Sequence, residues 1–122
     1  MRRLAAATLA SLTLLAADAA AAPTAPIGHA GRWVTDAQGR VVVVHGVNMV
    51  YKRAPYAPDA IGFDDDDAAF LAREGFNGVR LGVIWKAVEP EPGVYDDAYL
   101  ARIRATVATL RRHGILTQLD FH

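Results

Sequence analysis

Two polar residues, Asp120 and His122, stand in the last apolar segment of the sequence. Side chains two residues apart on a β-strand project from the same face of the sheet, so this carboxylate and this imidazole face one compartment. The pair suits either a polar wall that contacts a substrate or a two-ligand metal site. A barrel metallohydrolase would be expected to carry a His-x-His pair at its first strand, where the sequence has only His45. We therefore predict substrate contact and no bound metal.

Arg80 is the one charged residue within the apolar run Val79–Trp85. An arginine in such a strand is costly unless an acid and further acceptors satisfy its five donors, so Arg80 predicts a buried carboxylate partner. The sequence offers no obvious candidate for that partner. Two interpretations stay open, a structural ion pair and an active-site arginine that positions a catalytic carboxylate.

Further candidates follow the predicted strands. Asn48 ends the first β-type run, and Trp85 ends the second, where it would stack on a sugar ring or fill the mouth of the fold. Glu89 and Glu91 are paired carboxylates, but each precedes a proline in a loop rather than lying on a rigid strand. We therefore do not expect the two glutamates to act as a catalytic acid and base.

The elements that must position these residues alternate between β and α. The predicted order is a hairpin over 32–44 with its turn at 36–39, a strand at 45–50, a helix at 64–74, a strand at 79–85, a helix at 96–113 and a strand at 115–121. Gly75 and Gly114 end the two helices, and acidic residues begin them. Alternating units of this size imply right-handed crossovers and a parallel sheet.

We predict an α/β fold, the N-terminal part of a (β/α)8 TIM barrel with about three strands and two helices after a β-hairpin. A doubly wound nucleotide-binding fold would need a glycine-rich phosphate loop, and Gly46-Val47-Asn48 matches none. The active-site face of a barrel lies at the carboxyl ends of its strands, which carry Asn48, Trp85, Asp120 and His122. Because such a barrel needs about 250 residues, the sequence predicts a truncated barrel.

Composition excludes several classes of function. The chain has 122 residues, with 13 Lys and Arg against 13 Asp and Glu, so its formal net charge is zero. That balance gives no electrostatic reason to expect nucleic acid or an anionic membrane as a partner. The absence of cysteine excludes disulfides, a thiolate nucleophile and a zinc–cysteine cluster.

The first residues are typical of a secretory signal peptide. Arg2 and Arg3 form a short basic start, residues 4–17 are apolar, and small residues follow up to Ala22. We predict a signal peptide over 1–21, Sec-dependent secretion, a linker over 22–30 and the barrel portion over 31–122. Asp18 interrupts the apolar run too early for a stable membrane span.

Four motifs in sequence order resemble glycoside hydrolase family 5. They are Gly46-Val47-Asn48, the run from Gly75 to Leu81, Trp85 with Glu89-Pro90 and 92–95, and Leu119-Asp120-Phe121-His122. Three further features resemble those of the endoglycoceramidase branch of that family. They are Lys52 after the first strand, the Asp-x-His motif and the signal peptide. The resemblance covers nearly all of the chain that follows the signal peptide.

The resemblance implies a secreted retaining β-glycosidase that hydrolyses O-glycosidic bonds, with glycosphingolipids as one substrate class. Two glutamates about 5 Å apart would serve as acid/base and nucleophile, at the ends of the fourth and seventh strands and thus beyond His122. Arg80 and His122 would support them, and Lys52, Asp120, His122, Asn48 and Trp85 would contact the substrate. The resemblance implies no cofactor and no protein partner, and a chain without either glutamate would be inactive.

Three other functions stay open at this point. One is a cellulase-like endoglucanase of the same family, which would cut polysaccharides. A second is a secreted carbohydrate-binding module that uses the polar rim without chemistry. The third is a metal-dependent barrel hydrolase that uses Asp120 and His122 as ligands.

Overall fold

The computed structural model describes residues 22–122, so the predicted signal peptide over 1–21 lies outside the described residues. In chain order the elements are β1 (Gly28–Ala30), β2 (Trp33–Thr35), β3 (Gly46–Met49), a 3-10 turn (Pro58–Ile61), α1 (Asp65–Arg73), β4 (Gly78–Val83), α2 (Trp85–Val88), α3 (Asp97–Arg112) and β5 (Leu116–Phe121). No helix within residues 22–122 combines the length and apolarity that crossing a membrane requires.

The centre of the fold is a parallel sheet in the order β3-β4-β5. Gly78 at the start of β4 lies opposite Gly46 on one side and Leu116 on the other, and Val83 at its end lies opposite Phe121. Helix α1 connects β3 to β4, and α3 connects β4 to β5. The predicted alternation of strands and helices and the parallel sheet are both confirmed.

Helix α1 begins where the sequence predicts because the run of acidic residues caps it. The Asp64 carboxylate accepts hydrogen bonds from the backbone of Asp66 and Asp67, and the Asp67 carboxylate accepts one from the Asp64 backbone. This reciprocal capping satisfies amide donors that have no partner inside the helix. Gly75 follows the helix with φ at 81°, a conformation that glycine adopts without steric cost.

The core lies between the sheet and the helices. Val79, Leu81 and Val83 alternate along β4 and are almost completely buried on the helix side. Ile103 and Leu110, two of the residues whose helical spacing predicts a buried stripe, pack from α3 into the same cluster. Burying each such side chain contributes roughly 1.5–3 kcal/mol, so β4 and α3 hold the two crossover units together.

The opposite face of the sheet is concave and carries glycine residues on both β3 and β4. A Cβ atom on Gly46 would overlap the Gly78 carbonyl oxygen, and one on Gly82 would lie 2.6 Å from Val50 Cγ1. A hollow of about 500 Å³ lies over this face, and Gly46 and Gly78 are among its lining residues. Ile27 and Val34 from the hairpin segment line it near the amino ends of the strands, and Asn48 and Arg80 line it further along. The hollow is therefore apolar at one end and polar at the other.

The hairpin differs from the prediction. β1 pairs with β2 through a turn at Gly31, so residues 28–30, which the sequence assigns to a linker, form a strand. The predicted turn at 36–39 does form, but the residues after it pair with β2 only at the bridge between Thr35 and Val41 and through Val42 N to Val34 O at 2.9 Å. The chain leaves β2 early because it must reach Gly46, where the parallel sheet begins.

The end of β4 also differs from the prediction. The strand stops at Val83, and Trp85, expected as its last residue, begins the short helix α2. The amides of Ala87 and Val88 donate to the Ile84 carbonyl oxygen, at 2.9 and 3.0 Å, and turn the chain away from the sheet. A short turn of this kind has no periodicity that a sequence pattern can reveal.

Candidate functional site

Four of the predicted site residues lie on one face of the sheet. Asn48 pairs in register with Arg80. Asp120 pairs with Gly82, which lies two residues after Arg80 and nearer the carboxyl edge of the sheet. In parallel strands residues in register point to the same side, so Asn48, Arg80, Asp120 and His122 project from the concave face. The parallel topology thus brings together residues from three separate segments of the sequence.

Asp120 is the centre of this cluster. Its Oδ2 atom lies 2.5 Å from Arg80 Nη2 and 2.6 Å from His122 Nε2. Arg80 Nη1 also donates a hydrogen bond to Asn48 Oδ1 at 3.3 Å. One carboxylate therefore orients both an arginine and a histidine, and Asn48 supplies a second acceptor for the arginine.

Asp120 is the partner that Arg80 needs, and the sequence analysis did not identify it. The register explains why, since Arg80 lies opposite Gln118 and its guanidinium must reach past Gly82 to meet Asp120. The Asp120 oxygen that meets Arg80, Oδ2, is buried as expected, although the side chain as a whole is partly exposed. The Asp120 side chain is 25% exposed and that of Arg80 is 38% exposed, and Arg80 lines the hollow. The exposed part of the Arg80 side chain is therefore accessible to a ligand.

The chemistry of the cluster is that of a hydrogen-bonding wall. The Nε2 atom of His122 lies within ion-pair distance of the Asp120 carboxylate, a group that accepts hydrogen bonds through both of its oxygens. The second ring nitrogen of His122 and the remaining N–H groups of Arg80 are left for other partners. Such a set of rigidly held donors and acceptors suits the hydroxyl groups of a sugar.

Trp85 lies beside this cluster. Its backbone N–H donates to the His122 carbonyl oxygen at 2.8 Å, and its ring meets Phe121 edge-on with the centroids 6.0 Å apart. The side chain is 55% exposed, and Phe121, which its ring contacts, projects from the face of the sheet opposite to Asp120 and His122. Both predicted roles of Trp85, a stacking surface for a sugar and a side chain that fills the barrel mouth, stay predictions.

Lys52 is not brought into contact with the cluster. It is exposed in the loop that follows β3, and it forms no side-chain hydrogen bond or ion pair to another residue within 22–122. Its predicted contact with substrate therefore depends on the position of that loop.

The two loop glutamates have local contacts instead of a place at the rim. Glu89 Oε1 accepts a hydrogen bond from Gly93 N at 2.7 Å, and Glu91 forms a backbone bridge with Val94. His45 is likewise held locally, with Nδ1 3.2 Å from the Gly75 carbonyl oxygen and its ring stacked on Phe76. These contacts are structural. Within the described part of the chain no group of three or more His, Cys, Asp or Glu residues is arranged to hold a metal ion.

Tyr99 is a residue of interest that the sequence analysis missed. It is almost completely buried in the first turn of α3, and its hydroxyl oxygen lies 3.0 Å from Ile84 N and 3.3 Å from Tyr56 O. Burial raises the pKa of the Tyr99 hydroxyl, so it stays protonated. A signal was present, because Tyr99, Ile103, Thr106 and Leu110 follow helical spacing and a buried tyrosine needs a partner for its hydroxyl.

The chain is similar to known endoglycoceramidases in both sequence and structure. The chain is 40% identical to endoglycoceramidase I of Rhodococcus hoagii (strain 103S) over 102 residues, which are 84% of the chain and 21% of that protein. It superposes on the crystal structure of an endogalactoceramidase with a TM-score of 0.62 and 34% identity, over 78% of the chain and 22% of the other. It also matches endo-glycoceramidase II from Rhodococcus sp. in complex with ganglioside GM3, with a TM-score of 0.57 and 38% identity, over 72% of the chain and 20% of the other.

These structural neighbours are TIM-barrel glycosidases, which confirms the predicted fold class. Residues 22–122 form a partial α/β unit of such a barrel, and their three parallel strands do not close on themselves. The chain spans about a fifth of the length of the curated relatives that it matches. No family model matches the chain.

Proposed function

We propose that this chain, which belongs to the endoglycoceramidase-like glycosidases, is part of a secreted retaining β-glycosidase of glycoside hydrolase family 5 that acts on glycosphingolipids. The observation that carries the proposal is the Asp120 carboxylate held between Arg80 and His122 at the carboxyl edge of the sheet. Active sites of TIM barrels are built at this edge. The similarity to endoglycoceramidases supports the substrate class.

Each residue has a role in this proposal. Asp120 and His122 hydrogen-bond the sugar next to the bond that is cut, and Lys52 approaches from the loop after β3. Trp85 offers its exposed ring to a sugar face. Arg80 and Asn48 orient the wall, and Arg80 supports the nucleophilic glutamate. That glutamate and the acid/base glutamate are expected at the ends of the fourth and seventh strands, where a separation of about 5 Å gives retention of configuration.

The proposal assigns no catalysis to the 122-residue chain alone. Glu89 is held by a loop amide and lies outside the cluster, and neither it nor Glu91 is placed as one of a facing pair of carboxylates. We therefore expect the 122-residue chain to bind sugars weakly and to hydrolyse none, while the full-length enzyme needs no cofactor.

The test uses the full-length protein and lactosylceramide dispersed in detergent. Release of lactose and ceramide is the expected result, and substitution of His122 by alanine should reduce it strongly. Hydrolysis of carboxymethylcellulose without action on lactosylceramide would instead identify a cellulase-like endoglucanase. Binding of lactose with no turnover of either compound would indicate a carbohydrate-binding module.

Two parts of the proposal need tests of their own. A metal-dependent hydrolase would lose activity on treatment with a chelator, and we expect no loss. Secretion is tested by amino-terminal sequencing of the protein recovered from the culture medium of its source. Processing near Ala21 supports the signal peptide, and retention of Met1 in a protein confined to the cells would contradict it.

A further inference from the structure

We propose that Tyr99 is a positioning residue that holds two segments of the active-site rim in a fixed relation through its single hydroxyl group. One segment is the loop of residues 50–57, which carries Lys52, and the other is the end of β4, which leads into Trp85. This inference rests on the proposed function, because the rim matters only if substrate binds there.

The first contact of the Tyr99 hydroxyl gives the Ile84 amide a hydrogen-bond partner that the sheet does not provide. Along a strand successive N–H groups point to opposite sides, and the amide of Trp85 points toward β5, where it donates to the His122 carbonyl oxygen. The amide of Ile84 therefore points toward β3, but pairing with β3 ends at Leu81 opposite Met49. The Tyr99 hydroxyl accepts this otherwise unpaired hydrogen bond at 3.0 Å.

The second contact restrains the loop. The Tyr99 hydroxyl donates to the Tyr56 carbonyl oxygen at 3.3 Å. Tyr56 has φ at 63°, a left-handed conformation that is unfavourable for a residue with a side chain, and its amide closes a turn by donating to Arg53 O at 2.7 Å. Such a backbone persists only where its surroundings fix it, and Tyr99 fixes it four residues after Lys52.

Tyr99 itself is held from several sides. Its side chain is 4% exposed within the core, and its backbone amide donates to the capping carboxylate of Asp96 at 2.8 Å. A hydroxyl uses one donor and one acceptor here, and both are engaged by backbone groups of separate segments. A buried residue that is bonded to both segments thereby sets the distance between Lys52 and Trp85 without touching the substrate.

The test compares Tyr99→Phe with Thr106→Val in the full-length protein. Thr106 is equally buried on the same helix, and its hydroxyl donates only to Arg102 O within that helix. With lactosylceramide as substrate, Tyr99→Phe should raise KM about tenfold and change kcat by less than about twofold, while Thr106→Val changes neither. An unchanged KM, or equal effects of the two variants, would overturn the proposal.

Hydrogen exchange provides a readout independent of activity. The Ile84 amide and the amides of residues 50–57 should exchange faster in Tyr99→Phe than in Thr106→Val. If the wild-type enzyme hydrolyses no glycolipid, the proposed function fails, and the exchange result alone supports or overturns the positioning role. If Tyr99→Phe does not fold, the wild-type protein provides the test. Its Ile84 amide should exchange as slowly as its His122 amide, and fast exchange of the Ile84 amide would overturn the positioning role.

Discussion

Arg80 and Asp120 form an ion pair across neighbouring strands although they are not partners in the sheet register. Asp120 lies opposite Gly82, and Arg80 lies opposite Gln118. The arginine side chain therefore reaches two residues along the neighbouring strand, toward the carboxyl edge. Gly82 has no side chain to block that path. The pair therefore sits at the edge where ligands of parallel sheets bind, together with His122.

Replacing Asp120 by asparagine should impair the full-length enzyme. The amide keeps the shape of the side chain but cannot offer a charged acceptor to both Arg80 and His122. Hydrogen bonds to charged groups are worth about 1.5–3 kcal/mol, so kcat/KM on lactosylceramide should fall about 10- to 100-fold. The control is Asp59→Asn, which removes an exposed ion pair with Arg102 away from the rim. Equal kcat/KM values for the two variants would refute the role of Asp120.

Replacing Gly46 by alanine should destabilise the fold. The new Cβ atom would overlap the Gly78 carbonyl oxygen, which is backbone and cannot swing aside. The expected loss is about 1–3 kcal/mol of unfolding free energy, measured by chemical denaturation. Gly28→Ala is the matched control, because the nearest atom to its Cβ would be Thr35 Oγ1 at an ordinary 3.9 Å. The prediction is wrong if both variants unfold at the same denaturant concentration.

Replacing Asp64 by alanine should weaken helix α1. The substitution removes the carboxylate that caps the Asp66 and Asp67 amides, at an expected cost of about 0.5–2 kcal/mol. Asp66→Ala removes an acid from the same run without removing a capping carboxylate, so it should cost less. Thermal melts of both variants check this, and a larger loss in Asp66→Ala would contradict it.

Asp36 should contribute to the pH dependence of stability. The hydrogen bond from the Arg40 side chain is the main cause that lowers the pKa of Asp36 below its ordinary value of 3.8, with the Arg40 and Gln38 amides adding to it. Because the folded-state pKa is the lower one, the stabilisation is present above pH 3.8 and is lost as the pH falls through the folded-state value.

Asp36→Asn therefore should lower the melting temperature at neutral pH, and the difference from the wild type should shrink as the solution is acidified. Melting curves recorded from neutral pH to below 3.8 measure this. Asp66→Asn is the comparison, since the Asp66 side chain makes none of the contacts that hold Asp36. A difference that stays constant across the acid range would show that Asp36 does not act through its charge.

The larger elements could be predicted because their causes are local. The acidic residues before α1 and Asp96 before α3 supply caps, and Gly75 and Gly114 take the left-handed conformation that ends each helix. The apolar run of β4 follows from burial on both faces. The predicted hairpin over 32–44 is wrong in extent, because the turn at 36–39 is compatible with either a full hairpin or a single bridge. The path of the chain into β3 decides between the two.

The α/β alternation, the helix ends and the polar residues of the rim, with Asp120 and His122 on one face, could all be read from the sequence, since each depends on neighbours a few positions away. The pairing of Asp120 with Arg80 and the contacts that join Tyr99 to Ile84 and Tyr56 became visible in the folded chain alone. These contacts link residues 15 to 43 positions apart, and they depend on strand register and on helix packing. Register and packing are set by burial of the whole core, which no local pattern encodes.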